Sequence, residues 1–96
     1  MDYYKEALEI FERRVQSLIS ELHAAQSENN YNSIKVLMHS LCSIAGYVGA
    51  IPLQTIAKKI ELAAINMQGD ELHFLIEELL AEINQVQLAV NKFLQN

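Results

Sequence analysis

The side chains of this chain that could act chemically on another molecule are few: His23, His39 and His73, the lone Cys42, and an acidic group at Glu77, Glu78 and Glu82. A neutral imidazole nitrogen is a good nucleophile at cytoplasmic pH, so the surroundings decide between the three histidines. His23 and His73 lie near helix ends without the Cys, Asp or Glu constellation that a metal needs, and no metal site is predicted. The three glutamates have the spacing of a solvated helix face rather than of a paired-carboxylate site. His39 differs. Helical projection places Lys35, Cys42, Ser43 and Gly46 around it, mostly small side chains, so its ring stands clear and a large partner can reach it. Val36 and Tyr47 add apolar character to the same surface, as a docking face would. Cys42 itself reads as a small filler of that surface rather than a redox sensor.

The elements that position His39 follow from apolar periodicity. Tyr3 to about Ser27 repeats Leu8, Phe11, Val15, Leu18 and Leu22 on one helix face. Ser27 to Ser33 gathers turn formers and candidate N-caps. A second helix carries Ile34, Leu37, Leu41, Ala45 and Val48 and ends near Gly46 to Gly49, where glycine can take the left-handed conformation. His39 projects about 160° from that stripe, away from the core. Pro52 suits the first turn of a third helix whose stripe is Leu53, Ile56, Ile60, Ala64 and Met67. Gln68-Gly69-Asp70 interrupts it, with Asp70 the expected N-cap of a fourth helix. That helix carries Leu72, Leu75 or Ile76, Leu79, Ile83, Val86, Val90 and Phe93 or Leu94. No β-alternation appears, and short connections predict an all-α, antiparallel up-down four-helix bundle spanning residues 1–96. Tyr3 and Tyr4 are expected to form an apolar lid at one end.

Composition narrows the function. Seven Lys+Arg against twelve Asp+Glu, a net charge of −5, leave no phosphate-neutralising surface, so nucleic acid is excluded as a partner. One cysteine forms no internal disulfide, which fits a reducing cytoplasm. Asp2, Lys5, Glu6 and Glu9 do not make a signal peptide. Val36 to Ala57 lacks Asp, Glu, Lys and Arg, but His39, two glycines and Pro52 interrupt it as a membrane span, and no membrane association is predicted. No glycine-rich nucleotide loop is present, so the chain is not expected to be an enzyme with its own ATP site. The polar outer faces predict a monomer.

The run His39-Ser40-Leu41-Cys42-Ser43, followed five residues later by Gly49-Ala50-Ile51-Pro52-Leu53 and one helix later by Ile60-Glu61, resembles the signature of histidine-phosphotransfer (HPt) domains. That pattern is His-x-Leu-Lys-Gly, five residues, Gly-Ala-x-x-Leu, then Leu-Glu. The resemblance covers the whole four-helix chain. It implies that His39 is a phosphoacceptor carrying a phosphoryl group between receiver domains of response regulators or hybrid histidine kinases. It implies no cofactor on this chain, with Mg²⁺ only on the partner receiver. Cys42 and Ser43 stand where the family has Lys and Gly. Lys35, one turn before His39, and Lys58 or Lys59, brought level with it by an antiparallel hairpin, are the candidate replacement cations, and the Ser43 hydroxyl is a candidate donor to phosphate. The alternative is a degenerate module that binds a receiver or kinase without transferring phosphate.

Overall fold

The computed structural model describes residues 3–95; Asp2, counted above among the N-terminal charges, lies outside them. Four helices follow in chain order: α1 (Tyr3–Ser27), α2 (Tyr31–Val48), α3 (Ile51–Ile65) and α4 (Gly69–Gln95). Among the described residues there is no strand. α1 and α4, at about 1.5 Å per residue, span most of the 43 Å long axis. The shorter α2 and α3 pack on each other more closely than any other pair, and of the neighbouring pairs α1 and α4 touch least. Buried Ala45 on α2 and Ala57 and Ala64 on α3 are small enough for the two axes to come close.

The three connections close their preceding helices in one way. The residue after α2, Gly49, has φ 79°; its N–H bonds the Gly46 carbonyl at 3.2 Å and the Ala50 N–H bonds the Ala45 carbonyl at 2.8 Å. This is the paired closure in which a left-handed residue satisfies the last orphan carbonyls. Asn29 (φ 53°) closes α1 with the corresponding pair of bonds, and Met67 (φ 55°) closes α3. Asn30 then caps α2, its side-chain oxygen accepting the Ser33 N–H at 3.1 Å. Pro52 sits in the first turn of α3, where its missing N–H costs nothing. The uncharged stretch from Val36 to Ala57 is therefore two helices joined at Gly49 and Ala50. No helix among the described residues is long and apolar enough to cross a membrane.

The core joins stripes from all four helices. Leu8, Phe11, Val15, Leu18 and Leu22 are buried on α1, as expected, and Ile76 rather than Leu75 is the buried residue on α4. Four expectations are corrected. On α2 the buried residue is Met38, with Leu37 only half-buried; Ile34, Met38, Leu41, Ala45 and Val48 keep a strict four-three alternation that points between α1 and α3. Met67 is 70% exposed, because the backbone turns left-handed there and carries it out of the α3 stripe. α4 begins before Asp70: the Leu72 N–H bonds the Gln68 carbonyl at 2.9 Å, so Asp70 lies inside the first turn, where its charge still complements the helix dipole. Of the tyrosine pair, only Tyr4 works as a lid. Its ring, half exposed, meets Phe93 edge-on at 5.6 Å and its hydroxyl donates to the Val48 carbonyl, whereas Tyr3 is 76% exposed.

Candidate functional site

His39 stands in the middle of α2 on the side turned from the core, its side chain 73% exposed. The reason is local. It follows Met38 and precedes Leu41, both buried, so it occupies the gap in the apolar stripe. Its Nδ1 lies 3.1 Å from Oε2 of Glu61 on α3. The other carboxylate oxygen of Glu61, Oε1, accepts a hydrogen bond from Lys58 Nζ, also at 3.1 Å. A chain Lys58, Glu61, His39 thus crosses from α3 to α2.

Glu61 is the one buried charged residue among those described, with its side chain only 11% exposed. Burial alone would raise its carboxyl pKa. Lys58 more than reverses this, first by its hydrogen bond and then by its charge, with smaller contributions from His39, and the carboxyl is held below its ordinary value of 4.5. Glu61 is therefore ionised at neutral pH. An anionic acceptor facing Nδ1 favours the imidazole tautomer with its proton there, which leaves the Nε2 lone pair for chemistry. Sequence reasoning matched Glu61 to a pattern but gave it no role at the site. The missed signal was a charged residue four after Ala57 and three before Ala64, inside a buried stripe, where it must have a partner.

The remaining candidates divide between the two flanks of α2. On the α3 flank, Lys58 reaches His39 through Glu61, and Lys59 points into solvent without an ion pair. Gly46 and Cys42 lie on this flank too: the Gln54 side-chain amide donates to the Cys42 carbonyl at 3.3 Å and covers Gly46. Gly46 is therefore half-buried, with the Gln54 side chain over it. On the α1 flank, Val36 and Tyr47 are 54% and 80% exposed. Tyr47 and Ser43 border an open groove of about 550 Å³ between α1 and α2, shared with Tyr3, Ile10 and Arg14. The Ser43 hydroxyl donates to the His39 backbone carbonyl at 3.3 Å, so its one proton is already used and is not directed outward. Lys35 is half-buried and forms no ion pair. The far histidine His73 pairs with Glu77 on its own helix at 3.3 Å, and no cluster of three or more metal-ligating side chains occurs among the described residues.

Among known families, the model described as Hpt domain matches residues 6–89 of the chain. No curated protein and no solved structure matches the chain.

Proposed function

The chain belongs to the Hpt domain family, the phosphocarrier modules of two-component phosphorelays, and from that membership we propose that His39 accepts a phosphoryl group from the aspartyl phosphate of a receiver domain and passes it to another. The observation that carries this reading is the Glu61 contact on Nδ1 of a ring left 73% exposed. In the transfer, the Nε2 lone pair forms the N–P bond while the P–O bond to the receiver's aspartate breaks, and that carboxylate leaves with the electron pair. The Nδ1 proton stays on the ring, facing Glu61. The ring then gains positive charge, and an ionised carboxylate 3.1 Å away stabilises it. The same steps reversed deliver the group to the next receiver. The receiver is expected to bring the divalent cation and basic side chains that shield the phosphoryl oxygens, while this chain supplies a positioned nucleophile and, through Val36 and Tyr47, a docking surface.

Lys58 is the phosphate-supporting cation in this reading. Its side chain is 57% exposed and its Nζ is already held on the far oxygen of the carboxylate that touches His39, whereas Lys35 forms no ion pair with that carboxylate. Cys42, where the family carries lysine, favours the second reading of a module that binds receivers without transfer. Incubation with a panel of phosphorylated receivers tests the two. An acid-labile phosphate on the wild-type chain, absent from His39→Gln, is the expected result. Tight binding with no labile phosphate would establish the second reading instead.

A further inference from the structure

α2 and α3 are cross-linked twice, and the second link lies away from the reacting ring. Gln54 Nε2 donates to the Cys42 carbonyl at 3.3 Å. To do so, the amide lies across Gly46, where a methyl group would collide with that nitrogen and stand 3.3 Å from Cδ. Gly46 has no positive φ, so its backbone does not call for glycine; the space above it does. Gly46 lies in the last turn of α2 with ordinary helical φ, where glycine still disfavours the helix relative to alanine, and the Gln54 contact offsets that cost. The two links share one register: Gly46 is seven residues on from His39 along α2, and Gln54 is seven residues back from Glu61 along α3. Glu61 is held on α3 by burial and by Lys58 while His39 stands on α2, so the contact between Nδ1 and Glu61 spans the gap between the two helices and depends on their spacing.

We propose that Gln54 is a positioning residue, whose amide, seated in the gap at Gly46, fixes the α2–α3 spacing at which Glu61 meets His39 Nδ1. Its consequence for transfer rests on the phosphoacceptor reading above; its consequence for the His39 tautomer does not.

The test compares Gly46→Ala, Gln54→Ala and the double variant in the full chain. The atom that Gly46→Ala meets is the end of a flexible side chain, so the fold should persist, with a melting temperature equal to or above wild type. Side-chain ¹⁵N shifts of His39, read with the ring neutral, should show a smaller Nδ1–H fraction in both single variants. Phosphoryl acceptance from a phosphorylated receiver should slow about three- to tenfold, or about 0.6–1.4 kcal/mol at 1.36 kcal/mol per decade. The double variant should be no worse than Gln54→Ala alone, because the methyl then displaces nothing. If Gly46→Ala does not fold, Gln54→Ala decides alone. A wild-type tautomer fraction in Gln54→Ala would overturn the proposal. A wild-type chain that accepts no phosphate would instead overturn the phosphoacceptor reading, with the ¹⁵N measurement still deciding the role of Gln54.

Discussion

Replacing Glu61 by glutamine keeps the shape of the side chain and removes something specific. The carboxylate serves two donors with two oxygens, Oε1 for Lys58 and Oε2 for His39, each at 3.1 Å. An amide has one acceptor oxygen and one NH₂ group, and the Lys58 ammonium can only donate. The oxygen must turn to Lys58, so the NH₂ group faces His39. Nδ1 then has to present its lone pair and the proton moves to Nε2, the nitrogen that should attack. The lost charge adds to this. A unit charge on the ring about 4 Å from the carboxylate is worth about 4 kcal/mol at an effective dielectric constant of 20 and about 1 kcal/mol in water. With His39 73% and Lys58 57% exposed, the lower part of that interval applies, about 1–2 kcal/mol. Glu61→Gln should therefore accept phosphate about five- to thirtyfold more slowly from the charge alone, and more slowly still from the tautomer change.

Single-turnover transfer from a phosphorylated receiver, followed by acid-labile phosphate, measures the rate, and ¹⁵N shifts of His39 report the tautomer. Lys58→Met in the Glu61→Gln background frees the amide oxygen to return to Nδ1. It should restore the tautomer without restoring the charge contribution. A Glu61→Gln chain that transfers within twofold of wild type with its proton still on Nδ1 would refute the account, because neither the charge nor the double acceptor would then matter.

Three further outcomes follow from the same contacts. The folded pKa of Glu61 lies below the ordinary 4.5, so its contribution to stability is present above about pH 4.5 and is lost as pH falls through the lower folded value; the stability difference between wild type and Glu61→Gln in urea titrations should shrink accordingly from pH 6 to pH 3. Lys58→Ala should shorten the lifetime of phosphorylated His39 and Lys35→Ala should leave it nearly unchanged, measured by loss of labile phosphate over time; equal effects would remove Lys58 as the supporting cation. Met67→Gly should stabilise the chain by about 0.5–1 kcal/mol in chemical denaturation, since Met67 is 70% exposed and held at φ 55°, with a loss of stability counting against left-handed strain at that turn.

Where sequence and structure agree, local chemistry decides the outcome: the α1 stripe, Gly49 as a left-handed closure, Pro52 at the head of α3 and the outward face for His39 each depend on a few neighbouring residues. Where they part, a third element intervenes. Leu37 and Met38 are equally apolar, and only the placement of α1 and α3 on either side of α2 makes Met38 the inner one. Met67 continues the apolar pattern of α3, but closing that helix requires a left-handed residue at the same position. Ser43 offers a donor in sequence and spends it on its own helix. Gly46 looks open on a single helix and is covered from the next one by Gln54.

The pairing of α2 with α3 also bears on the missing lysine. Once His39 meets Glu61 and Gly46 meets Gln54, the same register sets Cys42, three residues after His39, level with Lys58, three residues before Glu61. A lysine at position 42 would bring a second ammonium to the level of Lys58, and like charges at close range repel. A cation on either helix at that level can serve the phosphoryl oxygens, but a linear motif inspects only one of the two helices. On the proposed reading, Lys58 beside Glu61 stands in for the lysine absent after the histidine, a relation seen only when the two helices of the hairpin are read against each other.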